Sequence, residues 1–154
     1  MADQSFADQL REGYRQVAGS LSEDERVLVK RARDPRSAGA AERNRLLAEV
    51  VCAYRSGPKT VWGPAVLDLL APTLVLILQG LRPIPHAIDE SEIRQQLIAE
   101  ALQAAADVRL LEGGGQTRFR ITSRAYTRML RWLAREGRRR RMQLPLDGRL
   151  ERRH

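Results

Sequence analysis

With 154 residues, 43% of them hydrophobic, the chain fits one domain with a real core and is neither disordered nor fibrous in composition. Its single cysteine, Cys52, excludes an internal disulfide and fits a reducing, cytoplasmic setting. The net charge of +8 is concentrated: residues 118–154 hold 13 bases against three acids, while the 117 residues before them carry −2, the footprint of a polyanion binder.

The opening stretch "MADQSFADQLREGY" has early acids and no apolar run, so it does not read as a signal peptide, and residues 1–20 are taken as an N-terminal segment. "LSEDERVLVKRARDP" predicts a helix with a capping box, Ser22 as N-cap and Glu25 at the third helical position, closed by Pro35. A second helix follows, with Leu46, Leu47, Val50, Val51 and Tyr54 at helical spacing, and Ser56-Gly57-Pro58 as its stop. Cys52 lies in that run and is expected to be a buried, inert thiol. Pro64 is placed as the first residue of a third helix ending at Gly80, kinked or divided by Pro72. Apolar nearly all round, this helix is expected at the centre; Asp68, Pro72 and a length short of about 20 residues argue against a membrane span.

"LRPIPHAID" is an extended connector, because each proline disfavours helix in the residue before it. Asp89 then caps a helix over 89–106, with Glu92 reaching back and Ile88 stapled on Ile93. The acids of "DESE" sit where a helix dipole draws carboxylates, so they are read as capping groups and not as metal ligands. Next comes "EGGGQTRFRITSRAY", which has two readings. Three glycines before the alternation Arg118-Phe119-Arg120-Ile121 suit the hairpin of a winged helix over 108–121. Alternatively, a glycine loop feeds one basic helix beginning near Arg118, and this is the arrangement expected. The charge of the preceding helix decides: five acids against Arg94 would be repelled by phosphates, yet a wing requires that helix in the major groove.

In the basic helix, Arg120, Arg124, Arg128, Arg131, Arg135 and Arg138 fall within a sector of about 80°. Ile121, Ala125, Met129, Trp132 and Leu133 lie away from it and can dock on the body. No acid within the stripe relieves its self-repulsion, so phosphates are the simplest compensation. Arg120 to Arg138, with Arg139, are therefore the candidate DNA contacts, and Tyr126 and Trp132 the candidate base-stacking groups. Residues 138–154 are expected to form a disordered basic tail.

Enzymatic constellations are missing from the pattern. Two histidines, His86 and His154, and one cysteine leave no metal or nucleophile arrangement, and "GGGQTR" lacks the Lys-Ser/Thr of a phosphate loop. Neither catalysis, a cofactor, a metal nor a small-molecule substrate is expected. The fold expected is all-α, a bundle of four to five helices spanning 21–137.

An apolar helix, a proline connector, the acidic-start helix "IDESEIRQQLIAEAL", a short loop, and a basic helix with Trp132 running into "RRRRMQLPLDG" together resemble region two of bacterial sigma factors, above all the extracytoplasmic-function type. That family's helix commonly reads Asp-Leu-Val-Gln-Glu; here Glu92, Ile93, Gln95 and Gln96 stand in the Asp, Leu, Gln and Glu places. The resemblance covers about 61–147, with a core of about 61–137. It implies that Asp89, Glu92, Gln95 and Gln96 dock on core RNA polymerase while the next helix meets promoter DNA. The family's C-terminal helix-turn-helix has no counterpart, a carboxylate is replaced by Gln96, and the base-capturing aromatics reduce to Phe119, Tyr126 and Trp132. A winged-helix regulator and a helical protein-interaction adaptor are the alternatives.

Overall fold

A helix starts wherever a side chain meets its unpaired N–H groups, and Ser22 shows how: its Oγ accepts from Glu25 N at 3.1 Å while Ser22 N donates to Glu25 Oε1 at 2.8 Å. In the computed structural model, which describes the backbone of residues 2–85 and 87–152 and the side chains of 5–85 and 87–142, this capping box opens α2 (Glu23–Arg33). The other helices are α1 (Ala2–Val17), α3 (Ala40–Ser56), α4 (Lys59–Gly80), α5 (Glu90–Asp107) and α6 (Thr117–Arg152), with short 3-10 turns at Ala18–Ser20 and Glu112–Gly114. The protein is all-α, a bundle with no strand among the described residues. Six helices replace the four to five expected, and the hairpin of the winged alternative is absent from 108–121.

The added helix is α1, in residues that patterning left as a terminal segment. Phe6, Leu10 and Tyr14 recur every four residues, form one stripe and are buried against α4. The stripe escapes notice because the rest of the helix is strongly polar.

At the centre stands α4, packed on by α1, α2, α3, α5 and α6. It begins five residues earlier than expected, with Pro58 as N-cap, so Pro64 lies inside the helix and not at its first position. The two internal prolines are tolerated because the helix is held by packing on nearly every side, from Trp62 to Leu78. At 22 residues α4 is long and apolar enough to cross a membrane, contrary to the shorter stretch counted from sequence, and 67% of its most apolar window is buried within the bundle. Asp68, the charged residue of its interior, is buried and paired with Arg33 of α2, whose guanidinium lies 5.4 Å from the Tyr14 ring centroid. Burial pushes the Asp68 carboxyl above its usual range, against the pull of Arg33.

The expected core of α3 is in place, with Leu46, Leu47, Val50, Val51 and Tyr54 all buried. Cys52 is exposed, contrary to expectation, because one step along a helix turns a side chain about 100° away from its buried neighbour Val51. Residues 81–85 and 87–89 are non-helical, as the proline connector predicts, and His86 lies outside the described residues.

Candidate nucleic-acid interface

The loop between α5 and α6 fixes where the basic helix starts. Arg55 of α3 donates through Nε to Ala105 O at 2.9 Å and through Nη2 to Val108 O, satisfying carbonyls at the end of α5. Gly113 and Gly114 then turn with φ of +74°, and a Cβ on Gly114 would stand 2.7 Å from Arg45 Cα. The glycines let the loop lie flat on α3, which is a different service from turning a hairpin. Asn44 of α3 completes the junction: its Oδ1 accepts from Arg118 N at 3.0 Å in the first turn of α6. Arg118 is withdrawn into the body, donating to Leu69 O at 2.6 Å and to Thr73 Oγ1 at 3.5 Å, and burial lowers its pKa from the usual arginine range.

From this anchored start α6 runs antiparallel to α5. Arg124 pairs with Asp107 at 3.5 Å, Arg128 with Asp107 at 2.8 Å and Glu100 at 3.9 Å, and Arg140 with Glu92 at 2.6 Å, so the order along one helix reverses along the other. Ile121, Ala125 and Met129 are fully buried, with Trp132 and Leu133 partly buried beside them, the docking side expected from spacing. Helix α6 continues to Arg152 where a disordered tail was expected; Arg140 ties it to Glu92 and to Ala87 O, and Arg139 and Arg140 both hold Glu136. Arg153 and His154 lie outside the described residues.

The arginine stripe is real but divided. Arg120 donates from Nε to Arg109 O at 2.9 Å, and Arg124 and Arg128 rest on acids of α5. Repulsion within the stripe is therefore partly relieved from the neighbouring helix, which spacing along α6 alone did not reveal. Burial would raise the Asp107 carboxyl, yet hydrogen bonds from Arg128 and Gln103 and the nearby arginine charges outweigh it and hold the group below its usual range. Arg131, Arg135 and Arg138 are exposed, and no acid among the described residues pairs with them. Arg120, Arg124, Arg128 and Arg131 line one open groove of about 490 Å³, together with Val108, Phe119, Ser123 and Thr127.

Aromatic groups are distributed differently from the expectation. Trp132 is on the α5 side, in a groove of about 390 Å³ shared with Ser91, Glu92, Gln95 and Gln96. Tyr126 is on the α4 side, beside Leu76, Ile77 and Gly80. Neither lines the arginine groove; Phe119, 66% exposed, does. Phe119 is among the aromatics named from the sequence, but "RFRI" looks like strand as readily as one turn of helix, so spacing alone does not place it beside the arginines.

The four residues expected to dock on polymerase are brought to one end of α5. Asp89 is the N-cap, accepting from Ser91 N at 3.4 Å and from Ser91 Oγ at 2.9 Å. Glu92 does not close a capping box; it turns outward to Arg140, because an ion pair with a cation of α6 outcompetes a bond to its own backbone. Gln96 donates to Glu100 Oε1 at 3.0 Å, and Gln95 is exposed. No known protein family matches the chain, and comparison with curated proteins and with solved structures gives no match.

Proposed function

We propose that the protein is a DNA-binding, sigma-like transcription module, with α6 laid against the DNA backbone and the start of α5 docked on core RNA polymerase. One observation carries the DNA half: a single exposed helical face presents Arg131, Arg135 and Arg138 without acidic partners among the described residues, continuous with a groove of four arginines and the hydroxyls of Ser123 and Thr127. Guanidinium forks and hydroxyls suit phosphate oxygens, and such contacts position a protein without reading sequence. The docking half is supported by the groove of Glu92, Gln95, Gln96 and Trp132, at the N-terminal end of α5, whereas the arginine groove lies at its C-terminal end.

Two measurements test the two halves separately. Fluorescence anisotropy with duplex DNA across a salt series should give a slope close to 0.9 per phosphate contacted, and absence of binding at low salt removes the DNA half. Retention of the protein on immobilised core RNA polymerase, lost on Gln95→Arg, tests the other. Gln95 is the better probe than Glu92 because reversing Glu92 also breaks its pair with Arg140.

A further inference from the structure

The exposed face of α6 has two edges of different chemistry. Toward α5 lie the arginines; toward α4 lie Phe119 and Leu130, 66% and 46% exposed, about 20° apart around the helix and three turns apart along it. Across from them Leu76 of α4 is 64% exposed, and between the two helices runs a groove of about 350 Å³ walled by Leu76, Ile77, Phe119 and Tyr126. This groove and the arginine groove share Phe119 and Ser123, so they form one continuous surface, apolar on one side and cationic on the other.

We propose that this surface docks an amphipathic helix of a protein partner, its apolar stripe lying on Leu76, Phe119 and Leu130 and its acidic flank facing Arg120, Arg124 and Arg131. The charge complementarity selects the occupant. A second copy of this chain, at +8, would set arginines against arginines. Duplex DNA covers the arginines and leaves Leu76 and Leu130 in water, whereas a helix with apolar residues at i, i+4, i+7 and i+11 covers both edges at once. The inference rests on the DNA reading in one respect: the acidic flank occupies the same arginines, so the partner would act as a competitor that regulates the DNA face.

The test uses the full-length protein and a labelled synthetic helical peptide with leucines at i, i+4, i+7 and i+11 and glutamates along one flank. Binding is followed by anisotropy beside poly-glutamate of equal charge, a duplex and an oligo-dT. The amphipathic peptide should bind at least tenfold more tightly than poly-glutamate. Leu76→Ala and Leu130→Ala, both at exposed positions outside the arginine groove, should each weaken it about tenfold while leaving duplex affinity unchanged. Unlabelled peptide should displace bound duplex. If no duplex binds, peptide affinity still decides the docking proposal, and only the DNA reading falls. Equal affinity for poly-glutamate, or peptide binding indifferent to both alanine variants, overturns it. So does a loss on Phe119→Ala seen with oligo-dT and not with peptide, which would assign Phe119 to base stacking.

Discussion

At the scale of single residues, Asp107 is the control point of the arginine face. It holds Arg128 at 2.8 Å and Arg124 at 3.5 Å, an acid competing with phosphate for two of the groove's four guanidiniums. Asp107→Asn should therefore tighten duplex binding and raise its salt slope by up to about 1.8, for two contacts released. An unchanged slope in the anisotropy titration would mean that Arg124 and Arg128 do not reach phosphate. Acid should act in the same direction. A carboxyl whose folded pKa lies below its unfolded value contributes stability above the unfolded pKa of about 4 and loses it as pH falls through the folded one. Its clamp on the two arginines is thus complete at neutral pH and released below that window. Gly114 is the structural counterpart. With φ at +74° and Arg45 Cα 2.7 Å from any added Cβ, Gly114→Ala must both strain the turn and push against backbone. A loss of about 1–3 kcal/mol is expected, read as a drop of several degrees in Tm, with the neighbouring Gly113→Ala showing only the conformational part because nothing crowds its Cβ position.

At the scale of elements, α5 and α6 act as a charge-matched antiparallel pair whose surplus is cationic on one side. Replacing Arg131, Arg135 and Arg138 together by alanine should lower the duplex salt slope by up to about 2.7 and leave Tm nearly unchanged, because these exposed side chains make no ion pair among the described residues. A large fall in Tm would show that they support α6 itself. How much of this pair the sequence revealed depended on where the controlling atoms lie. Caps and stripes that act within one helix were legible: Ser22 with Glu25, the Asp89 N-cap, and the buried line Ile121, Ala125 and Met129. Features set by another element were not. Asn44 caps α6 from 74 residues away, Arg55 closes α5 from 50, and Glu92 leaves its own N-terminus for Arg140 at a separation of 48. The same distinction explains why an uncompensated stripe was expected. Its relief comes from Asp107 and Glu100, placed by tertiary packing and not by spacing along α6.

For the whole molecule, the division between a near-neutral body and a basic edge means that binding charge and folding stability reside in different places. The body's stability centres on α4, and α1 is its least obvious support. Phe6, Leu10 and Tyr14 leave water when α1 docks, and Tyr14 also stacks on Arg33, the partner of buried Asp68. At about 1.5–3 kcal/mol per large apolar side chain, three such groups amount to roughly 4.5–9 kcal/mol, comparable with the total stability of an ordinary domain. The ordering entropy of α1 reduces the net effect, yet its removal also exposes the apolar flank of α4 on which it packs. Deleting residues 1–20 should therefore abolish cooperative thermal unfolding or drive self-association, seen by circular dichroism and size-exclusion chromatography, even though every arginine of α6 is retained. A monomeric, cooperatively folding 21–154 fragment would show that α1 is an appendage and that the remaining helices suffice. If that fragment also kept its full duplex salt slope, the arginine face would be independent of the N-terminal helix, and control of DNA binding would have to be sought along α5 and the groove beside Phe119.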